Sequence, residues 1–283
     1  MTRRPFLGLF VTPAALVAAG IVAAMVAIGQ YSLRAYVPGS LDAGGFTLAN
    51  LAELGRPIFL VAFGDTVRIC FETALVTLLV GYPVAYALVR TRSTALKSLL
   101  LIASVTPLFL GEVVRTYSWV VVLGNTGFVN ALLGGFGLVE RPVQLMFTEF
   151  GVILALVHVT LPVMVIMLAA ALAHIDRAYE RAAASLGAGP VHAFLTVTLP
   201  LSMPGIVAGF TTAFAWTFSA FATPQVIGGG KVATVSTLVY QLGLSSFNFP
   251  FAATLSLAGM VLALGVLWLL RRATRPLDAL AAH

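Results

Sequence analysis

Ionisable residues are scarce in this sequence, so the few that interrupt apolar stretches carry the first chemical information. Glu72 follows Arg68 by four residues and Glu112 precedes Arg115 by three, spacings that set each pair on one helix face. Two chemistries fit them: mutual neutralisation inside an apolar surrounding, or a negative charge offered to a cationic solute, because ionisable groups within apolar helices commonly mark a path. Tyr117, Trp119, Trp216, Phe218 and Phe221 could present ring faces to an ammonium group, although the same residue types serve as packing and interface anchors. Hydrolytic chemistry has no candidate set. His158, His174, His192 and His283 are scattered without metal-binding spacing, and no Ser/His/Asp or paired-carboxylate arrangement stands out. The Gly230-Lys231 pair lacks a glycine five residues before Gly230 and a Ser or Thr after the lysine, so it is no phosphate-binding loop. Cys70, the single cysteine, cannot form an intrachain disulfide. No metal and no cofactor of its own are expected.

The elements that hold these residues follow from hydropathy. Of 283 residues, 60% are hydrophobic and 9% charged, against roughly a quarter charged in ordinary soluble domains. The apolar residues come in long blocks, and roughly 20 of them cross a bilayer core as a helix. This predicts an all-α, polytopic membrane protein with about six spans, near 8–30, 66–89, 98–123, 150–173, 204–227 and 251–270. The chain reads as a single transmembrane domain over 1–283, with a core bundle at about 66–271. Arg3-Arg4 ahead of the first apolar stretch looks like an export signal, but the stretch is long for one, and the first span is taken as retained. Pro83, Pro107, Pro162 and Pro224 interrupt predicted spans, and such breaks survive in lipid only where neighbours or a water-filled path satisfy the freed carbonyls.

The net charge of +6 does not point to nucleic acid, because the basic residues sit at the ends of apolar blocks, where they orient helices in lipid. With the N-terminus inside, ten lysines and arginines fall on cytoplasmic segments (Arg3, Arg4, Arg90, Arg92, Lys97, Arg177, Arg181, Arg271, Arg272, Arg275) and four on the opposite side (Arg34, Arg56, Arg141, Lys231). Both termini are therefore expected in the cytoplasm, together with a loop at 174–203 and a short link at 90–97.

That loop is the most informative stretch. It reads Glu180-Arg181-Ala182-Ala183-Ala184-Ser185-Leu186-Gly187-Ala188-Gly189-Pro190 and continues through Val197-Thr198-Leu199-Pro200. Asp176 can cap a helix through the alanine run, and Gly187 to Pro190 supply a turn. An exposed alanine face lets another surface approach closely, which suits a docking element.

The stretch resembles the EAA loop of binding-protein-dependent ABC importer permeases: Glu-Ala-Ala, three residues, Gly, nine residues, then Ile-x-Leu-Pro. Ala182-Ala183, Gly187, Leu199 and Pro200 fall at the required spacing, with Val197 in place of isoleucine. The departure is at the glutamate: Arg181 stands directly before the two alanines, and Glu180 one residue earlier. Two further stretches, Val114 to Trp119 with Gly127 and Asn130, and Thr223 to Gly230 with Thr234, Thr237 and Tyr240-Gln241, are similar to the polyamine-type (spermidine/putrescine) branch.

The resemblance implies a permease subunit of the bacterial inner membrane that is not itself an enzyme. Its implied partners are a cytoplasmic ABC ATPase dimer that binds the ATP, a second and related permease subunit, an extracytoplasmic solute-binding protein and membrane lipid, but no nucleic acid. The implied coupling residues are Glu180, Arg181, Ala182, Ala183, Gly187, Leu199 and Pro200. Candidates for the substrate path are Glu72, Glu112, Tyr117, Trp119, Trp216 and Phe221. The rival readings are a permease for another small solute, an ion-driven secondary transporter, which gives no reason for the loop, and an intramembrane hydrolase, which needs a nucleophile–base pair.

Overall fold

The computed structural model describes residues 5–40, 42 and 44–281. Arg3, Arg4 and His283, named above for charge or chemistry, lie outside the described residues. The described chain is helical, with no strand beyond one isolated bridge between Arg34 and Phe46. In order the helices are α1 (Pro5–Ser32), α2 (Ala49–Glu53), α3 (Pro57–Arg90), α4 (Thr94–Val105), α5 (Glu112–Leu123), α6 (Phe128–Gly135), α7 (Glu149–Ala173), α8 (Arg177–Ser185), α9 (Pro190–Ala193), α10 (Leu199–Leu201), α11 (Met203–Ser219), α12 (Ala222–Gly228), α13 (Val235–Tyr240) and α14 (Phe249–Ala281). Five stretches are long and apolar enough to cross a bilayer: Val11–Ser32, Pro57–Arg90, Glu112–Gly135, Glu149–Ala173 and Phe249–Thr274. A sixth is reached if Pro190–Leu201 and Met203–Ser219, bent by 65° at Ser202, form one broken span.

Two predicted spans are corrected. The span placed at 98–123 is broken: α4 runs into a 3₁₀ turn at Thr106–Phe109, the chain extends at Leu110 and Gly111, and α5 starts afresh at Glu112. Pro107 has no N–H to continue the helix, and a glutamate is favoured in a first turn by the helix dipole. Glu112 thus opens a helix instead of interrupting one. The span placed at 204–227 ends at Ser219, and α12 is a separate short helix. At 17 residues, α11 is about 26 Å long, just under the hydrocarbon thickness. Pro83 and Pro162, in contrast, lie inside helices that continue through them.

The described residues form two compact units. One comprises residues up to Val61 together with Leu238–Val261. Here the Asn50 amide donates to the carbonyls of Ser32 and Arg34, both at 2.8 Å, the Thr254 hydroxyl donates to Ser32, and Phe59 meets Phe251 edge-on. Val11 to Met25 of α1 are exposed throughout.

The other unit comprises Ala62–Thr237 and the described residues from Leu262 onward. Its core joins Cys70, Ala74, Tyr82 and Leu88 of α3 to Met164, Leu168 and Leu172 of α7 and to Ala213 and Phe214 of α11. The α7–α11 approach depends on Gly205 and Gly209: a side chain at either would strike Ala171 or Met164. This small-residue spacing brings apolar helices together where no hydrophobic drive exists between them in lipid. The Thr77 and Thr160 hydroxyls lie 2.9 Å apart across α3 and α7, each also within reach of a carbonyl of its own helix, so one of the two protons bridges the helices while the other goes to a carbonyl.

Candidate coupling loop and path residues

The loop is built from its caps inward. The Asp176 carboxylate accepts from the Ala178 N–H at 2.8 Å and starts α8, whose alanine run then propagates it. The helix stops at Gly187, with φ +90°, where the Gly187 N–H reaches Ala184 and the Ala188 N–H reaches Ala183. These are the two bonds of a Schellman motif, and the left-handed angle favours glycine. Pro190 then opens α9, and a wide π turn at Phe194–Thr198 leads into Leu199-Pro200. Pro200 has no N–H for the Thr196 carbonyl, so the local widening has a cause in the sequence.

One network ties this loop to the end of α3. Glu180 takes a 2.9 Å charge-assisted bond from the Arg90 guanidinium and a 2.7 Å bond from the Thr198 hydroxyl. Arg90 also donates to the Ile175 carbonyl at 3.2 Å, and its guanidinium lies over the Tyr86 ring. Arg177 runs the other way, from the loop to the Arg90 carbonyl at 2.6 Å. Tyr82 bonds the Ser202 hydroxyl at 2.8 Å, and Ser202 in turn donates to Leu199, so the tyrosine is the donor. Phe194 meets Tyr82 and Tyr86 edge-on. The α3 terminus and both halves of the loop are thereby fastened together.

Arg90, Arg177 and Thr198 were not singled out from the sequence for this role. Arg90 and Arg177 counted only as orienting charges, and nothing in a sequence links residue 90 to residue 180. The available clue was an arginine closing a long helix, where the dipole favours a cation. Of the predicted loop residues, Glu180 lies at the centre of the network, Leu199 packs on the core, and Arg181, Ala182 and Gly187 are solvent-facing. Large apolar side chains are also left open here: Leu186 is 90% exposed and Val191 70%.

The path candidates are arranged differently. Neither ion pair suggested by sequence spacing forms. Arg68 bonds Glu149 at 2.6 Å and lies 3.5 Å from Asp65, leaving half-buried Glu72 without a hydrogen bond or ion pair among the described residues. Arg115 turns inward, is 8% exposed, and donates to the Pro107 carbonyl at 3.2 Å, while Glu112 faces outward without a side-chain partner among the described residues. The reason is the break before α5: the Pro107 carbonyl, which accepts from the Leu110 N–H at 3.4 Å, also takes the guanidinium. Trp119 donates its indole N–H to His158 at 3.2 Å, so its polar edge is engaged within the chain. Tyr117 and Trp216 are exposed, and Phe221 is half-buried ahead of α12.

The sequence and the fold have known counterparts. The family described as binding-protein-dependent transport system inner membrane component matches residues 77–275. The chain belongs to that family. Members are membrane components of transport systems and not enzymes, and the chain is accordingly a multi-pass protein of the bacterial inner membrane. It is 30% identical over 232 residues to the spermidine/putrescine transport system permease protein PotB of Haemophilus influenzae, covering 82% of this chain and 81% of that protein. It is 32% identical over 202 residues to the molybdenum transport system permease protein ModB of Mycobacterium bovis, covering 70% and 73%. A chain from the crystal structure of a bacterial alginate ABC transporter, in complex with alginate pentasaccharide-bound periplasmic protein, shares the fold with a TM-score of 0.81 over 97% of this chain and 95% of that one, at 18% identity.

Proposed function

We propose that this family member is the permease subunit of an ATP-driven importer for a polyamine such as spermidine or putrescine. It works beside a second, related permease, takes solute from an extracytoplasmic binding protein, and receives motion from a cytoplasmic ATPase dimer through the 174–203 loop. ATP is bound by that partner, and this chain needs no cofactor. The observation that carries the substrate reading is the sign of the open charges. Glu72 and Glu112 make no hydrogen bond or ion pair among the described residues, whereas buried Arg115 is held on a carbonyl. A path with available carboxylates suits a cation and opposes an oxyanion. The likeness to PotB supports the same reading. The likeness to ModB sets the alternative, an oxyanion solute, which would need an open cation instead.

The test is reconstitution of the chain with its ATPase, second permease and binding protein, followed by uptake of labelled putrescine, spermidine and molybdate. Polyamine uptake that requires ATP is the expected result; molybdate uptake alone would refute the substrate. Orientation is tested by single-cysteine labelling in a Cys70→Ala background. Ser185→Cys should react only from the cytoplasmic side and Lys231→Cys only from outside. Lys231 is exposed, whereas a side chain at Gly229 would strike the Phe147 ring.

A further inference from the structure

A cleft of ≈ 650 Å³ opens beside α8, and the charged residues lining it are Arg92, Asp176, Arg177, Glu180 and Arg181. Its charges divide sharply into engaged and open. Both carboxylates are engaged within the chain: Asp176 caps α8, and Glu180 holds Arg90 and Thr198. Arg177 is fixed on backbone carbonyls. Arg92 and Arg181 have no side-chain partner among the described residues, and Arg181 is exposed. The open charge in the cleft is therefore positive, and its neighbouring walls at Ala184, Ala188 and Ala193 are small enough to admit an incoming side chain.

We propose that this cleft receives a carboxylate of the ATPase subunit, which pairs with Arg181 and is attracted by Arg92. The proposal rests on the coupling-loop reading above and gives it a sign. The residue directly before the paired alanines, an acid in the EAA pattern, is here a base, while the nearby acid Glu180 is directed into the protein. Charge complementarity then requires an acid on the facing surface. A guanidinium and a carboxylate in a partly enclosed cleft form a directional, two-pronged contact, which fixes the register of docking as well as its strength.

The experiment uses the assembled transporter. Arg181→Lys supplies an amine at the same place, and a zero-length carbodiimide should cross-link it to one Asp or Glu of the ATPase subunit, identified by mass spectrometry. Arg181→Glu should lower ATP-dependent uptake at least tenfold with normal membrane insertion. Replacing the cross-linked acid by Arg should restore uptake to that Arg181→Glu variant. Normal uptake by Arg181→Glu overturns the proposal, and so does the absence of a cross-link to the ATPase. A defect that tracks the anionic lipid content of the vesicles, without that cross-link, would assign the cleft to lipid headgroups and also overturn it. Gly187→Val separates the two levels. If it abolishes uptake while Arg181→Glu does not, only the charge assignment fails; if neither matters, the coupling-loop reading fails as well.

Discussion

Glu180 and Glu72 are both carboxylates beside apolar helices, yet their surroundings are opposite. Glu180 has two partners from separate parts of the chain, Arg90 and Thr198, and Arg177 closes the same junction from the other direction. Glu72 has no hydrogen bond or ion pair among the described residues, because Arg68, the cation one turn away, is drawn to Glu149. An acid satisfied inside the chain acts by holding geometry. An acid left open is available to something that the chain does not contain. The loop is thus fastened to α3, whereas Glu72 carries a charge that no hydrogen bond or ion pair among the described residues takes up.

The largest effect should come from breaking the loop's shape without touching its charges. Gly187 has open space around its Cα, so a substitution there clashes with nothing, and the strain is in its φ of +90°. A residue with a side chain costs about 1–2 kcal/mol in the left-handed region, and a β-branched one more. Gly187→Val should therefore insert normally yet lose at least 90% of ATP-dependent uptake, with the ATPase released on copurification. Normal uptake with the ATPase bound would show that this loop does not couple the two subunits.

Next comes the junction itself. Glu180→Gln keeps the shape and the bond from Thr198 but removes the charge facing Arg90. Both bonds end on the same oxygen, Oε1, which Gln retains, so what is lost is the charge assistance, about 1–1.5 kcal/mol; uptake should fall roughly five- to tenfold while the binding protein keeps its affinity. Arg90→Gln should do the same. Because the two residues form one contact, the double variant should be far less impaired than the product of the single effects. Strict additivity in a double-mutant cycle would refute the junction as the shared cause.

How much of this was readable beforehand depended on whether the signal was local. The α8 cap at Asp176 and the turn at Gly187 follow from neighbours within a few residues, and the structure has both, whereas the piece expected to end at Leu199-Pro200 runs on to Leu201. The long apolar helices were equally plain, because length and hydropathy suffice. The break before α5 was not, since Pro107 was read as a bend within one span and Pro83 gave the same signal without breaking α3. Helix spacing placed Arg68 by Glu72 and Glu112 by Arg115, but spacing only permits a pair. Glu149 and the Pro107 carbonyl, from elsewhere in the chain, took both arginines. The Arg90–Glu180 contact spans 90 residues and had no local trace.

The smallest expected effect sharpens the comparison most, because it asks what the open acids are for. Glu72→Gln removes a charge that makes no hydrogen bond or ion pair among the described residues, so the complex should assemble at normal levels. This differs from Glu180→Gln, where docking itself suffers. If Glu72 draws a cationic solute through a partly wet path, one unit charge acting at an effective dielectric constant of ~20 contributes on the order of 1 kcal/mol. Uptake of spermidine should then fall about three- to fivefold, more than that of the less charged putrescine. Glu112→Gln should give a similar loss, with one complication: Glu112 also opens α5, where a carboxylate contributes about 0.3–1 kcal/mol through the helix dipole. Glu112→Asp separates these roles, since it keeps both the charge and the helix start and should transport nearly normally. The measurement is initial uptake rate against solute concentration in vesicles, with subunit stoichiometry checked on the same preparation. Unchanged rates for both Gln variants would remove Glu72 and Glu112 from the path. Failed assembly of either would mean that a partner subunit supplies the missing cation, turning an open acid into another junction.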